Sequence, residues 1–418
     1  MLRTDDGATR DAAALRTRLI VEPLRRVAAT ELPAGDTEKA TDHAEEAGIP
    51  AELLARFGAT VRQTHRRANV VVLEVPAEQQ VALAEALRAI GLTARPPLPI
   101  QPLLNDSLPL LHVPSLQQHG LSGAGVRIAI VDTGIDVAHP DLQARILAFE
   151  DWSDAGLIDD VGHGTHVAGI AAGAGSVYRG VAPGATLVIA KALAAAGGTE
   201  DAVLAAMSWA SRQQIQVMNL SLGGPGSPTA PLAREVDALT AEGIIVCVSA
   251  GNSGPAAGTI GSPGDACGAL TVGAADKSGQ LAFYSSRGPV RGVRYHKPDV
   301  LAIGGGVTEG AACGYGTGVA SARAAVRAAD PCAIPPRYVR MSGTSMAAPH
   351  VAGICALLLE ATADRRMTAA AQARLVRTAI IASARPLPGA TADQAGAGLV
   401  DAAAALARLT RKRHRTAA

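Results

Sequence analysis

Val126-Arg-Ile-Ala-Ile-Val-Asp-Thr-Gly134 is a β-branched run that ends on a carboxylate, Asp132. Apolar residues without alternation read as a strand covered on both faces. Four more such runs follow: Thr186 to Lys191, Val217 to Ser221, Ile244 to Ser249 and Leu270 to Val272. Between them Gly164 to Ala174, Glu200 to Gln213 and Ala230 to Glu242 carry helical patterns, and Ala-rich segments after 366 read as closing helices. Strand and helix in alternation predict an α/β fold, a mostly parallel sheet with helices on both faces and reactive residues at the carboxyl ends of strands. Gly304 to Ala333 is the one low-complexity stretch and is expected to be an inserted surface loop.

Two further segments supply partners for Asp132. Gly162-His-Gly-Thr-His-Val-Ala-Gly169 opens a helix with His163, and Ser342-Gly-Thr-Ser-Met-Ala-Ala-Pro-His-Val-Ala-Gly353 places Ser345 at the start of another. A serine hydroxyl is inert at its own pKa but attacks a carbonyl once an adjacent base takes its proton, and a carboxylate that holds the base completes the set. Asp132, His163 and Ser345 are the candidate catalytic acid, base and nucleophile. Their rivals have plainer readings. His166 lies three residues into its helix and points nearly a turn away from a helix-start residue. His350 has a packing role in the nucleophile's helix, and Asp136 is a turn residue.

These motifs, in the order Asp, His, Ser and spread over roughly residues 102 to 405, resemble those of the subtilisin-type serine peptidases (subtilases, peptidase S8). The resemblance implies an endopeptidase that works through an acyl-enzyme. It makes Asn252, in Ser249-Ala-Gly-Asn-Ser-Gly254, the oxyanion-hole asparagine, with the backbone N–H of Ser345 as second donor. Ser221-Leu-Gly-Gly224 and Leu193 to Gly198 are similar to the family's groove edges. Leu193, Gly197, Gly198, Ser221, Leu222, Gly223 and Gly251 would there meet an extended polypeptide by strand addition. The uncharged character of these segments favours apolar over charged substrate side chains. No cofactor is required for the chemistry. Many members of the family carry structural calcium, and Asp141 matches one ligand position. The loop that should complete that site, between Ala171 and Gly180, holds neither Asn nor Asp, so Asp141 reads first as a turn or cap residue.

Upstream, strands at 18–24, 59–65, 69–75 and 92–99 and helices at 36–57 and 77–90 give the order βαββαβ, a split-βαβ unit. Subtilisin propeptides share that order. The resemblance therefore implies a folding chaperone and inhibitor whose end, Leu98-Pro-Ile-Gln101, enters the groove of its own catalytic domain. Pro97, Pro99 and Pro102 depart from an easily cleaved junction, because proline lacks an amide donor and restricts the residue before it. Self-cleavage is expected to be slow, displaced or left to another protease. The expected organisation is a flexible 1–15, an inhibitory unit at 16–100, a peptidase domain at 101–407 and a basic flexible tail at 408–418 around Arg411-Lys-Arg-His-Arg415.

Composition narrows the partners. A formal net charge of +1 offers no electrostatic case for nucleic acid or a membrane surface. Aromatics at 2% with abundant Ala and Gly suit tightly packed helices on a sheet. The five cysteines show no CxxC spacing, although Cys313 and Cys332 could pair in an oxidising compartment. Residues 1–20 carry Asp5, Asp6 and Asp11 and no apolar core of a signal peptide, which reads as cytoplasmic; a misassigned start would make the protein secreted. Two further readings stay open: a noncatalytic peptide-binding homologue, and an acyl-transferring ligase or partner-regulated intracellular protease.

Overall fold

In the computed structural model, which describes residues 16–23, 48–65, 70–95, 106–306, 317–363 and 366–410, the chain divides into units at 1–101 and 102–418. In the first, Arg16–Pro23 (β1), Thr60–His65 (β2), Val70–Pro76 (β3) and Leu92–Arg95 (β4) pair antiparallel in the order β2-β3-β1-β4. Helices Ala51–Arg56 (α1) and Gln80–Ala89 (α2) complete the βαββαβ order. Alternation explains the single core. Val71, Leu73 and Val75 of β3 are buried with Leu19 and Val21 of β1 and Leu83 and Leu87 of α2, while the intervening residues of β3 are only partly covered. Of the helix expected over 36–57, residues 36–47 lie outside the described residues, as do 96–99 of the last strand.

The second unit is built on seven parallel strands. They are Arg127–Asp132 (β5), Ile146–Asp151 (β6), Thr186–Lys191 (β7), Val217–Leu220 (β8), Ile245–Ser249 (β9), Leu270–Ala275 (β10) and Val300–Ile303 (β11). Their order is β11-β10-β9-β8-β5-β7-β6. Helices cover both faces, so residues of either parity are apolar. Ile128, Ile130, Leu187 and Ile189 face a core shared with Val113–Gln118 (α3), His163–Ala172 (α4), Thr344–Glu360 (α7), Ala369–Ser383 (α8), Ala392–Ala395 (α9) and Ala402–Thr410 (α10). Ala129, Val131, Val188 and Ala190 face a second core under Glu200–Ser211 (α5) and Pro231–Glu242 (α6). The chain passes from β5 to the edge strand β6, returns to β7 beside β5, then crosses to β8 on the other side. That reversal leaves a crevice beyond the carboxyl ends of β5 and β8.

The stretch 304–333 is not a surface loop throughout, which corrects the expectation from composition. Residues 307–316 lie outside the described residues, but Val319–Ala322 (β12) is buried and pairs antiparallel with Tyr338–Met341 (β14), beside Ala333–Ile334 (β13). Small side chains make this burial feasible. The strand lies so close to α4 that a Cβ on Gly169 would fall 2.3 Å from Ser321 Oγ. Cys332 is disulfide-bonded, Cys313 lies outside the described residues, and Cys247, Cys267 and Cys355 are free. Among the described residues no helix is long and apolar enough to cross a membrane.

Candidate active site

Each candidate side chain is placed by the end of an element. Asp132 closes β5 and is fully buried; its Oδ1 accepts from the His163 ring at 2.7 Å and from the Thr133 N–H at 2.8 Å. Because Nδ1 donates to the carboxylate, the free Nε2 is left as the basic nitrogen. His163 is the first residue of α4 and keeps a quarter of its side chain exposed, at 25%. Burial pulls its pKa down, but the charge and hydrogen bond of Asp132 and the charge of Asp159 outweigh that and the opposing Arg327. The net result lies above the ordinary histidine value.

Asp159 went unnoticed in the sequence, yet it organises the loop that presents His163. Its Oδ1 accepts from the N–H groups of Val161 and Gly162 and from Thr133 Oγ1, and its Oδ2 accepts from Thr165 N and Oγ1, at 2.6 to 3.2 Å. A carboxylate on the orphan amides of a helix start takes the place of a capping side chain at Gly162. Lys191, paired in register with Asp132, is also new. Its buried ammonium donates to the Thr133 carbonyl at 2.8 Å and pairs with Asp160. Asp160 in turn accepts from Ala195 N at 3.0 Å, so the ion pair fastens the loop after β7 to the loop before His163.

Ser345 sits in the first turn of α7. Its hydroxyl donates to the Ser221 carbonyl at 3.2 Å, and its own carbonyl accepts from Ser221 Oγ at 2.8 Å. Asn219 Nδ2 braces that Oγ at 2.9 Å. Asn252 Oδ1 accepts both the N–H and the hydroxyl of Thr344 at 2.9 Å, which commits the oxygen and leaves the amide group as the outward donor. Ser221, Leu222, Gly223, Gly251, Asn252 and Ser345 line one cavity of about 630 Å³. Its far wall, Gly258 to Gly261, was not foreseen from sequence, and among the described residues none lining it is charged. Leu193, Gly197 and Gly198 are not part of that lining. They form a tight hairpin of their own, with Ala194 and Gly197 exchanging backbone hydrogen bonds at 2.9 Å.

The rival residues are satisfied elsewhere. His166 is buried with Nε2 on the carbonyls of Val319 and Val339, and burial depresses its pKa to about 3. His350, likewise depressed by burial to about 4, bonds Ser107 and the Met346 carbonyl. Asp136 accepts from the amides of Ala138 and Ala325. Asp141 does not fit a calcium site. Its Oδ2 accepts from the Tyr338 hydroxyl at 2.8 Å, and Gly175 closes so tightly that a Cβ there would lie 2.1 Å from the same oxygen. The space a cation would need is filled by a phenol and by backbone, and among the described residues no group of three His, Cys, Asp or Glu side chains could hold a metal ion.

Compared with known proteins, the sequence matches the subtilase family (peptidase S8) over residues 123–403. The chain belongs to the subtilase family. It is 37% identical to the serine protease AprX of Bacillus subtilis over 298 residues, 63% of this chain and 64% of that protein. It is 36% identical to subtilisin DY of Bacillus licheniformis over 261 residues, 60% of this chain and 83% of that one. Membrane-bound transcription factor site-1 protease of Rattus norvegicus is 35% identical over 298 residues, but the match covers only 25% of its length. A solved protease from Pseudoalteromonas arctica PAMC 21717 superposes with a TM-score of 0.61 at 27% identity, over 75% of this chain and 99% of that one. AprX is named as a serine protease, and the motifs around Asp132, His163 and Ser345 fall inside the matched region.

Proposed function

We propose that this chain is a serine endopeptidase in which Asp132, His163 and Ser345 form the catalytic triad, made as a self-inhibited precursor. The observation that carries the reading is the 2.7 Å contact between His163 Nδ1 and Asp132, beside a serine that opens a helix at the rim of an uncharged cavity. Rotation about the Cα–Cβ bond turns the Ser345 hydroxyl from the Ser221 carbonyl toward His163 Nε2. The imidazole takes the proton as Oγ bonds the scissile carbonyl carbon, and Asp132 stabilises the imidazolium. Charge on the former carbonyl oxygen is met by Asn252 Nδ2 and by the Ser345 N–H, one of the orphan donors of α7. Collapse of the intermediate passes the proton from His163 to the leaving amine. Water then repeats the sequence to free the acyl group.

The substrate is an extended polypeptide. The uncharged lining around Ser221–Gly223 and Gly251 supports an apolar or neutral side chain before the cleaved bond. The N-terminal unit supports the precursor reading through its βαββαβ order and its place directly ahead of the peptidase unit. A direct test exposes wild type and Ser345→Ala to a fluorophosphonate and follows chain mass and casein cleavage over time. Labelling of wild type alone, with loss of about ten kilodaltons (roughly one hundred residues), supports the proposal. Peptide binding without labelling overturns it in favour of a noncatalytic homologue.

A further inference from the structure

Gly162, immediately before His163, has a φ of +84°, and the space a side chain would occupy there is already filled. A Cβ at Gly162 would lie 2.5 Å from Cδ and 2.8 Å from Cγ of Arg327. Arg327 ends the short turn Ala325–Arg327, in the segment between β11 and α7 that lies apart from the three motifs. The turn is tied down on both sides. Ala325 N–H donates to Asp136 Oδ2 at 2.9 Å, and Arg327 Nε donates to the nearly buried Asp330 at 2.6 Å. The arginine itself stays 35% exposed at the edge of the site.

We propose that Arg327 is a positioning residue for His163, laid across Gly162 so that its guanidinium, tempered by Asp330, offsets the carboxylates that surround the imidazole. This rests on the reading of His163 as general base. Among the described residues, titratable and charged groups on four elements face His163. Asp132 at the end of β5 and Asp159 in the loop before α4 favour the imidazolium. Arg327 disfavours it, and His166, one turn along α4, is held neutral by burial. A base flanked by two carboxylates alone would stay protonated to higher pH, where it cannot accept the serine proton. Arg327 therefore widens the range over which His163 is competent. Its aliphatic stem also fixes the turn from Gly162 into α4.

The test is the pH dependence of Ser345 labelling by an uncharged fluorophosphonate, a step that forms the Oγ–phosphorus bond, expels fluoride and sends the hydroxyl proton to His163. The rate is measured from pH 5 to 9 on wild type, Arg327→Gln, Arg327→Lys and Asp330→Asn. Arg327→Gln is expected to move the acid limb up by roughly half a pH unit, about threefold slower labelling on the acid side with the plateau retained. Arg327→Lys restores most of the limb. Asp330→Asn, which frees the guanidinium, moves it the other way, so the sign is testable even where Arg327→Gln does not fold. All three shifts shrink in about 1 M salt, as expected for a partly exposed charge. A labelled wild type whose limb coincides with that of both Arg327→Gln and Asp330→Asn overturns this inference alone. A wild type that is not labelled at any pH overturns the proposed function and the inference with it.

Discussion

The side-chain oxygen of Asn252 is held by two donors of one residue, the N–H and the hydroxyl of Thr344, each at 2.9 Å. Thr344 is fully buried and its hydroxyl also accepts from Gly251 N at 3.2 Å. The amide of Asn252 can therefore face the cavity in only one orientation, and the residue next to Ser345 enforces it. Asn252→Ala is expected to lower kcat by about 10²–10³, the size found when such a donor is removed from subtilisin, with KM little changed. Thr344→Val keeps the shape and the backbone donor but removes the hydroxyl, one of the two groups that fix the amide, so it should lose a smaller part of kcat. Equal kcat in Asn252→Ala and wild type on a peptide anilide would remove Asn252 from the oxyanion site.

The raised pKa of His163 fixes the acid side of the activity profile. A base must be neutral to accept a proton, so kcat/KM should rise with pH through a value above the ordinary 6.5 of histidine. Asp132→Asn removes the partner that holds the proton on Nδ1. It should cost on the order of 10⁴ in kcat, as loss of the tautomer-fixing carboxylate does in a serine protease triad. A half-maximal point well below 6.5 in the wild type would contradict the charge balance described for this imidazole.

How much of this was legible in the sequence differs by residue. Asp132, His163 and Ser345 could be read because each terminates or opens an element whose pattern is unmistakable. Strand ends and helix starts are where an α/β sheet exposes chemistry. Ile146–Asp151 and Val300–Ile303 went unread because both are edge strands, one with partly exposed positions and the other a short run hemmed in by Pro298 and Gly304. Val319-Ala-Ser-Ala322 looked like a loop because small residues carry little hydrophobic signal; only the approach of Gly169 makes them core. Asp159 and Lys191 had no signal in spacing, since their partners lie across loops that the fold alone brings together. The Asp159-Asp160 pair just ahead of the His163 motif, and a lysine ending an apolar run, were the available hints.

Where Asp141 could have met a cation, Tyr338 takes its place. Burial pushes the Tyr338 phenol well above its usual pKa, so it stays a donor, and its ring meets Tyr178 edge-on with centroids 4.6 Å apart. Tyr338→Phe should cost about 1.5–3 kcal/mol, the range for a hydrogen bond to a charged group. Asp141→Asn should lower the melting temperature equally with calcium and with chelator. A loss seen only in calcium would restore Asp141 as a metal ligand.

Acid stability follows from the two buried histidines. His350 donates from Nδ1 to the Met346 carbonyl at 2.7 Å, so the neutral ring accepts at Nε2 from Ser107 Oγ at 2.6 Å; a proton there would turn the Ser107 hydroxyl round to accept and would leave an imidazolium in a fully buried site. His166 donates from Nε2 to backbone carbonyls and buries an Nδ1 that has no partner among the described residues. Both folded pKa values lie below the unfolded one, near 4 and 3, so the stability they contribute is whole above about 6.5 and is lost as pH falls toward those values. His163 has the opposite sign: its contribution is full below the unfolded value and fades as pH rises through the raised folded one. For His350 alone the loss between pH 6.5 and 4 is on the order of 3 kcal/mol. Denaturant midpoints of the Ser345→Ala chain, chosen to prevent self-digestion, should therefore fall steadily below pH 6.5. His350→Gln is expected to be less stable at pH 7 yet to show a shallower fall. Parallel slopes in the two proteins would mean that His350 does not titrate on unfolding as its burial requires.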